Sequence, residues 1–309
     1  MQRVPAAGYR IEGLPVAGFD RKRLWRNFAV LIRLWRSQRK ARRIIQEFQP
    51  QVAVGVGGYA SGPTLNVCEK MGIPTLLQEQ NSYAGVTNKL LAKRARRICV
   101  AYDNMQRFFP ADRILLTGNP VRQNLLHTKL TPEEARKSLG LRPDVKTILV
   151  IGGSLGARTL NESVLSERVH LEAHPEVQIL WQTGGYYKDA IAERLKTEGQ
   201  PDNLVVTDFV TDMGAAYAAA DLVISRAGAS SISELALLGK PAILVPSPNV
   251  AEDHQTHNAL ALVDKEAALY VKDSEAFDEL IPLALNTIAD DALLSKLAHN
   301  VQQLAHPDA

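Results

Sequence analysis

The chain has 309 residues, 46% hydrophobic and 22% charged, with 2 cysteines and a formal net charge of +3. That length and apolar content suit two domains with filled cores and exclude a disordered, collagen-like or disulfide-stapled chain. No run of about 18 apolar residues spans a bilayer, no signal-peptide pattern opens the sequence, and Cys68 and Cys99 lie in or beside apolar segments without metal-type pairing. They read as buried free thiols of a reducing cytoplasm.

The small net charge hides an asymmetry. Residues 1–130 hold 22 of the 36 Lys/Arg and 7 of the 33 Asp/Glu, a net of +15 against −12 for residues 131–309. A basic half joined to an acidic half predicts an anionic partner for the first. Residues 21–46, RKRLWRNFAVLIRLWRSQRKARRIIQ, contain ten basic residues and no acid. Within them Leu24, Phe28, Leu31, Leu34 and Trp35 recur at helical spacing between arginines, with Trp25 near that face. Such a helix suits an anionic membrane surface. It equally suits an apolar stripe packed on the chain's own sheet, and both can hold at different ends of one helix. Nucleic acid is not expected as a partner: there is no RNP motif, helix-turn-helix signature, zinc knuckle or stacking series of aromatics.

After the basic helix, residues 51–56 read as a strand ending at Gly57-Gly58-Tyr59-Ala60-Ser61-Gly62-Pro63, a glycine-rich turn into a helix through Met71. Residues 73–77 form the next strand, ending at Gln78-Glu79-Gln80-Asn81, and a helix follows over about 85–96. Residues 98–101 and 114–117 are strands, the second ending at Gly118-Asn119-Pro120-Val121-Arg122. Strand, polar loop and helix in repetition predict a parallel, doubly wound sheet. Residues 123–144 break the pattern and read as an interdomain linker holding one helix, capped by Thr131 with Glu134 in the capping-box position and ended by Gly140. The predicted domains are therefore 1–122 and 145–309.

The second series begins with a strand at 147–151, the loop Gly152-Gly153-Ser154-Leu155-Gly156-Ala157 and a helix to about Leu165. A strand at 177–182 closes at Thr183-Gly184-Gly185, and one at 204–207 leads through Asp208-Phe209-Val210 to a helix from about Asp212. Residues 222–225 form a strand stopping at Arg226-Ala227-Gly228-Ala229-Ser230, with Ser230 or Ser231 capping a helix to Leu238 that closes at Gly239. The strand at 241–246 precedes a polar loop with Asp253, His254, Gln255 and Asn258. The whole reads as two Rossmann-like α/β halves facing a cleft, a natural ligand site.

Ligands of open α/β sheets bind at the carboxyl edge of the strands. There the Gly152–Ala157 loop lets backbone approach a phosphate, and the following helix start offers N–H groups and positive potential. It is neither a Walker A loop nor a G-x-G-x-x-G in register. Gly57–Pro63 follows the same logic in the first half. Glu234, one helical turn past Ser230, can take ribose hydroxyls. Glu79 is a candidate general base. His254 and His257 have nothing nearby to complete a zinc site, and no Gly-x-Ser-x-Gly elbow or Cys/His pair marks a covalent nucleophile.

Taken together and in this order, the loops at 57–63, 78–81, 118–122, 152–157 and 226–234 resemble those of the MurG family of N-acetylglucosaminyltransferases, glycosyltransferase family 28. The resemblance implies a GT-B fold and inverting transfer of GlcNAc from UDP-GlcNAc to undecaprenyl-pyrophosphoryl-MurNAc-pentapeptide (lipid I), giving lipid II; no cofactor and no metal site in the chain are expected. It implies a peripheral enzyme on the cytoplasmic face of the plasma membrane, with cell-wall synthesis proteins as further partners. Carried over, Glu234 holds the ribose, Ser154 and nearby N–H groups the diphosphate, Val210 the uracil, and Gln255 with His254 the sugar. Arg226, Ala229 and Ser230 line the donor site, and Asn81 and Arg122 reach it from the other domain. Gly57, Gly58, Tyr59, Ser61 and Gly62 form the acceptor loop.

Two features depart from the family pattern. The Gly-Gly-Thr-Gly-Gly-His loop that opens the family, with its histidine, is not in this sequence, and the sequence stops at His306-Pro307-Asp308-Ala309 before the family's last helix. The reading is of a chain truncated at both ends, with an incomplete first domain and exposed apolar surface there. It is expected to bind UDP-GlcNAc weakly and to transfer poorly or not at all. The alternatives are another GT-B enzyme on a UDP-sugar, a diacylglycerol glycosyltransferase or a UDP-GlcNAc 2-epimerase, and a non-catalytic nucleotide-sugar-binding fragment.

Overall fold

A computed structural model of the chain describes residues 3–17 and 27–309. Leu24 and Trp25 of the basic segment lie outside the described residues. The chain forms two compact units, Met1–Gln80 with Ala84–Thr117, and Asn81–Tyr83 with Gly118–Ala309.

The first unit is built on four parallel strands in the order β1-β2-β3-β4: β1 (Ala53–Gly55), β2 (Thr75–Glu79), β3 (Arg97–Val100) and β4 (Ile114–Leu116). Leu65, Leu77, Ile98, Val100, Met105 and Phe109 fill the core on one side. The basic helix runs over Asn27–Phe48, and its C-terminal half buries Ala41 and Ile45 against Val67 and Cys68. Its N-terminal half leaves Leu31, Ile32 and Trp35 exposed among arginines. Cys68 is buried, as expected, and Cys99 is half-buried. Val52, Val54 and Val56 around edge strand β1 are exposed.

The second unit has six parallel strands in the order β10-β9-β8-β5-β6-β7. They are β5 (Lys146–Ile151), β6 (Val177–Gln182), β7 (Leu204–Thr207), β8 (Leu222–Ser225), β9 (Ala242–Leu244) and β10 (Leu269–Tyr270). The chain walks outward from β5 to β7, then returns past β5 to β8 and walks the other way. The order therefore reverses between β5 and β8, where the crevice of a doubly wound sheet opens. Both strands are buried and mostly apolar, with Thr147 and Ser225 as the buried polar residues, because helices cover both faces.

Several boundaries differ from the sequence reading, among them the division between the units, the end of β2 and the start of the helix after β8. The units divide at Thr117, and the segment 123–144 packs within the second unit. Arg136 fastens it there, donating to Ala219 O at 3.1 Å, Pro143 O at 2.8 Å and Asp221 Oδ2 at 2.8 Å. The Thr131/Glu134 capping box forms with both bonds, as expected. β2 extends through Glu79 because Gln78 and Glu79 pair with Cys99 and Val100 of β3. The helix after β8 spans Ala229–Leu238 and starts at Gly228, without a serine cap.

Candidate functional site

Two loops meet at the switch point. After β5 the chain turns through Gly153 and Gly156, both at positive φ (82° and 84°). Gly156 lies against the loop that follows β6: a Cβ on it would sit 2.1 Å from Thr183 O, and one on Gly184 would sit 2.1 Å from Gly156 N. Only glycine allows these two backbones to touch. The next helix, Arg158–Ser166, starts at Ala157 with no side-chain cap. Ala229–Leu238 likewise starts uncapped at Gly228. Residues of both helix starts line one cleft of about 1120 Å³ within the second unit. Each start presents unpaired N–H groups and roughly half a positive charge. Two of them on one cleft favour a dianionic group such as a diphosphate.

The acid of the site is Glu234, buried and set on the inner face of Ala229–Leu238. Arg122 donates to Glu234 Oε1 from Nε at 3.1 Å and from Nη2 at 2.9 Å, and Tyr217 donates to Oε2 at 2.9 Å. Gln182, at the end of β6, is a strut between loops. Its Nε2 donates to Gly153 O at 2.9 Å, and its Oε1 accepts the Val210 N–H at 3.0 Å. Arg226 reaches Val245 O and Pro246 O, both at 3.1 Å, and pairs with Asp273. It thus ties the ends of β8 and β9 to the segment after β10.

Of the residues expected from the sequence, Arg122, Ser154, Val210, Arg226, Ser230, Glu234 and Gln255 line the cleft. Ala229 begins the helix at its wall. Arg122 belongs to the second unit, not to the first as its predicted place in 1–122 implied. Gln255 accepts the Ser247 N–H at 2.8 Å, whereas His254, whose Nδ1 meets Ala251 O at 2.7 Å, is not a lining residue. Asn81 also packs with the second unit, accepting from Asn258 Nδ2 at 3.0 Å, and is not a lining residue either. His257 stacks on Tyr83 at 4.7 Å. Among the described residues no His/Cys/Asp/Glu group could hold a metal ion.

In the first unit Gly57 and Gly58 take positive φ, and the helix Gly58–Lys70 absorbs the predicted turn into its first turns. Pro63 can donate no bond there, and Ser61 Oγ donates to Gly57 O at 2.5 Å and Thr64 Oγ1 to Ala60 O at 2.8 Å. Tyr59 is exposed and Gly62 half-buried. Glu79 is buried, and its Oε2 accepts from Gly85 N and Asn88 Nδ2, both at 2.9 Å. Its carboxylate holds the loop and the start of the next helix.

Sequence reasoning missed Tyr217, Gln182 and Asp273. Gln182 could have been found as a polar residue closing an apolar strand on the carboxyl edge. Tyr217 stands out as the one aromatic side chain in Met-Gly-Ala-Ala-Tyr-Ala-Ala.

Residues 147–309 match the profile of the glycosyltransferase family 28 C-terminal domain, and residues 1–100 that of the family's N-terminal domain. The chain belongs to glycosyltransferase family 28. Within that family it is 65% identical over 309 residues to the UDP-N-acetylglucosamine–N-acetylmuramyl-(pentapeptide) pyrophosphoryl-undecaprenol N-acetylglucosamine transferase of Bacteroides fragilis, covering 100% of this chain and 81% of the relative. The crystal structure of Acinetobacter baumannii MurG superposes with a TM-score of 0.76 at 29% identity, covering 98% of this chain and 83% of that one. A UDP-GlcNAc 2-epimerase from Neisseria meningitidis, bound to UDP-GlcNAc, shares the fold with a TM-score of 0.62 at 12% identity, over 90% of this chain and 77% of that one. This family 28 chain is a glycosyltransferase of the MurG type with the GT-B fold.

Proposed function

We propose that the chain transfers GlcNAc from UDP-GlcNAc to the lipid-linked pyrophosphoryl-MurNAc-pentapeptide, with inversion at the anomeric carbon. The observation that carries this reading is the pair of uncapped helix starts on either side of the switch point, opening on one cleft that also holds the buried Glu234. In the reaction an acceptor hydroxyl oxygen attacks the anomeric carbon and gives up its proton to a base, while the sugar–phosphate bond breaks and UDP leaves with the electron pair. Fixed N–H groups at Ala157–Thr159 and Gly228–Ser231 stabilise the charge that grows on the diphosphate, without solvent having to reorganise. Glu234 takes ribose, the Val210 segment takes uracil, and Ser154 and Ser230 take the diphosphate. Gln255 takes the sugar, with Arg226 keeping the wall in place. Asn81 and His254 stand near this wall as supporting residues rather than liners.

The first unit carries the acceptor, with Gly57, Gly58, Tyr59, Ser61 and Gly62 at its uncapped helix start. The exposed Leu31, Ile32 and Trp35, set among arginines, suit docking to an anionic membrane surface on the side where the lipid-linked acceptor is presented. No described helix is long and apolar enough to cross a membrane. That helix also favours the transferase over an epimerase, whose substrates are water-soluble.

The test is incubation with radiolabelled UDP-GlcNAc and a short-chain lipid I analogue. Labelled disaccharide lipid above the no-enzyme control, with UDP released one for one, is the expected result. Donor binding with no product at any enzyme concentration argues against the acceptor assignment.

A further inference from the structure

Tyr217 is the one aromatic side chain of the helix Met213–Ala219, and it is 1% exposed. Its helix is fixed from several sides. Asp212 Oδ1 accepts the Ala215 N–H at 2.9 Å and caps the start. A Cβ added to Gly214 would lie 2.1 Å from Thr128 Oγ1, so the helix runs against that residue with no space to spare. Ala215, Ala216 and Ala219 are buried on the same element. The phenol hydroxyl is thereby brought to Glu234 Oε2 at 2.9 Å. Burial, then the Glu234 charge and the bond to it, push this phenol above its ordinary pKa, so at neutral pH it is a donor.

A carboxylate offers about four acceptor positions. Arg122 fills two of them on Glu234 Oε1, and Tyr217 fills one on Oε2. The remaining position belongs to the oxygen that Tyr217 orients. We propose that Tyr217 is a positioning residue for ribose recognition: its hydroxyl fixes the rotation of the Glu234 carboxylate, so that the free position on Oε2 meets one ribose hydroxyl of the donor. This rests on the assignment of Glu234 to ribose made above. Tyr217 touches no substrate, and its effect is selective for the sugar of the nucleotide rather than for the diphosphate or the base.

The experiment is calorimetric titration of the full chain and of Tyr217→Phe with UDP-GlcNAc and with its 2′-deoxyribose and 3′-deoxyribose counterparts. Phenylalanine keeps the ring and its packing, and Glu234→Gln serves as the reference for a damaged ribose site. The unaltered chain should bind one of the deoxy donors about tenfold more weakly than UDP-GlcNAc, the scale of one hydrogen bond to a charged group. In Tyr217→Phe that ratio should collapse to within about twofold, through loss of UDP-GlcNAc affinity while the deoxy donor is hardly affected. An equal weakening of all three donors would assign Tyr217 to general packing and overturn the proposal, as would a ratio unchanged from the unaltered chain. Equal binding of all three donors by the unaltered chain would overturn the Glu234 assignment and the proposal with it.

Discussion

Glu234 is held by donors from two other segments, Arg122 and Tyr217, so its loss removes more than a ligand contact. Glu234→Ala leaves a buried phenol and a guanidinium without their acceptor, which costs about 1–3 kcal/mol for a buried unsatisfied donor. The expected outcome is a lowered melting temperature and UDP-GlcNAc affinity reduced by about tenfold, read by calorimetry, from one lost charge-assisted bond to the ribose. Glu79 calls for a different substitution. Its two accepted bonds tie down the loop and helix after β2. Glutamine can keep most of that geometry, so Glu79→Gln should leave turnover within about tenfold. A fall by the roughly 10²–10⁴-fold typical of a lost general base would instead assign it proton transfer. At this scale Glu234, Ser154 and Arg226 were legible in the sequence because each sits at a fixed offset from a strand end. Tyr217 and Gln182 were not, because the groups they hold are 17 and 28 residues away in the chain and only the folded sheet brings them together.

At the scale of elements, the loops after β5 and β6 form one unit through the Gly156–Gly184 contact. Gly184→Ala should force them apart. Its φ of 83° is strained for alanine, and its Cβ would overlap Gly156 N. A cost of about 1–3 kcal/mol in stability is expected for such a position, with weaker nucleotide binding because the diphosphate loop moves. Denaturant melts and nucleotide titrations check the two effects separately. The basic helix yields a second prediction. Replacing Arg36, Arg39 and Arg43 by Gln should reduce co-sedimentation with vesicles rich in anionic lipid by about 1 kcal/mol per charge and flatten its salt dependence. Undiminished binding would place the membrane contact elsewhere. Most strands were legible because parallel strands are short apolar runs, and β6, β7 and β8 fall at the predicted residues. The start of Ala229–Leu238 was misread because serines make good caps in sequence, while in the fold the cap position falls to Gly228 and the serines enter the first turn. β10 is 2 residues long and leaves no periodic signal.

For the whole molecule, the division into two α/β units follows from two runs of strand, loop and helix, and the sequence pattern showed both. The boundary did not show. Arg136, buried by its three bonds, reads in sequence as one more charged residue of a solvated helix, so the segment 123–144 looked like a linker. The order β10-β9-β8-β5-β6-β7 puts the reversal where the glycine loop and the Arg226–Glu234 segment emerge, and that coincidence supports the proposed donor site in the second unit. Calorimetry with UDP-GlcNAc, UDP-glucose and UDP-galactose, on this chain and on Glu234→Ala, tests that claim most directly. The account predicts saturable one-to-one binding that prefers UDP-GlcNAc and is weakened about tenfold in the variant. Absence of binding by a demonstrably folded chain, or equal binding by Glu234→Ala, would contradict it.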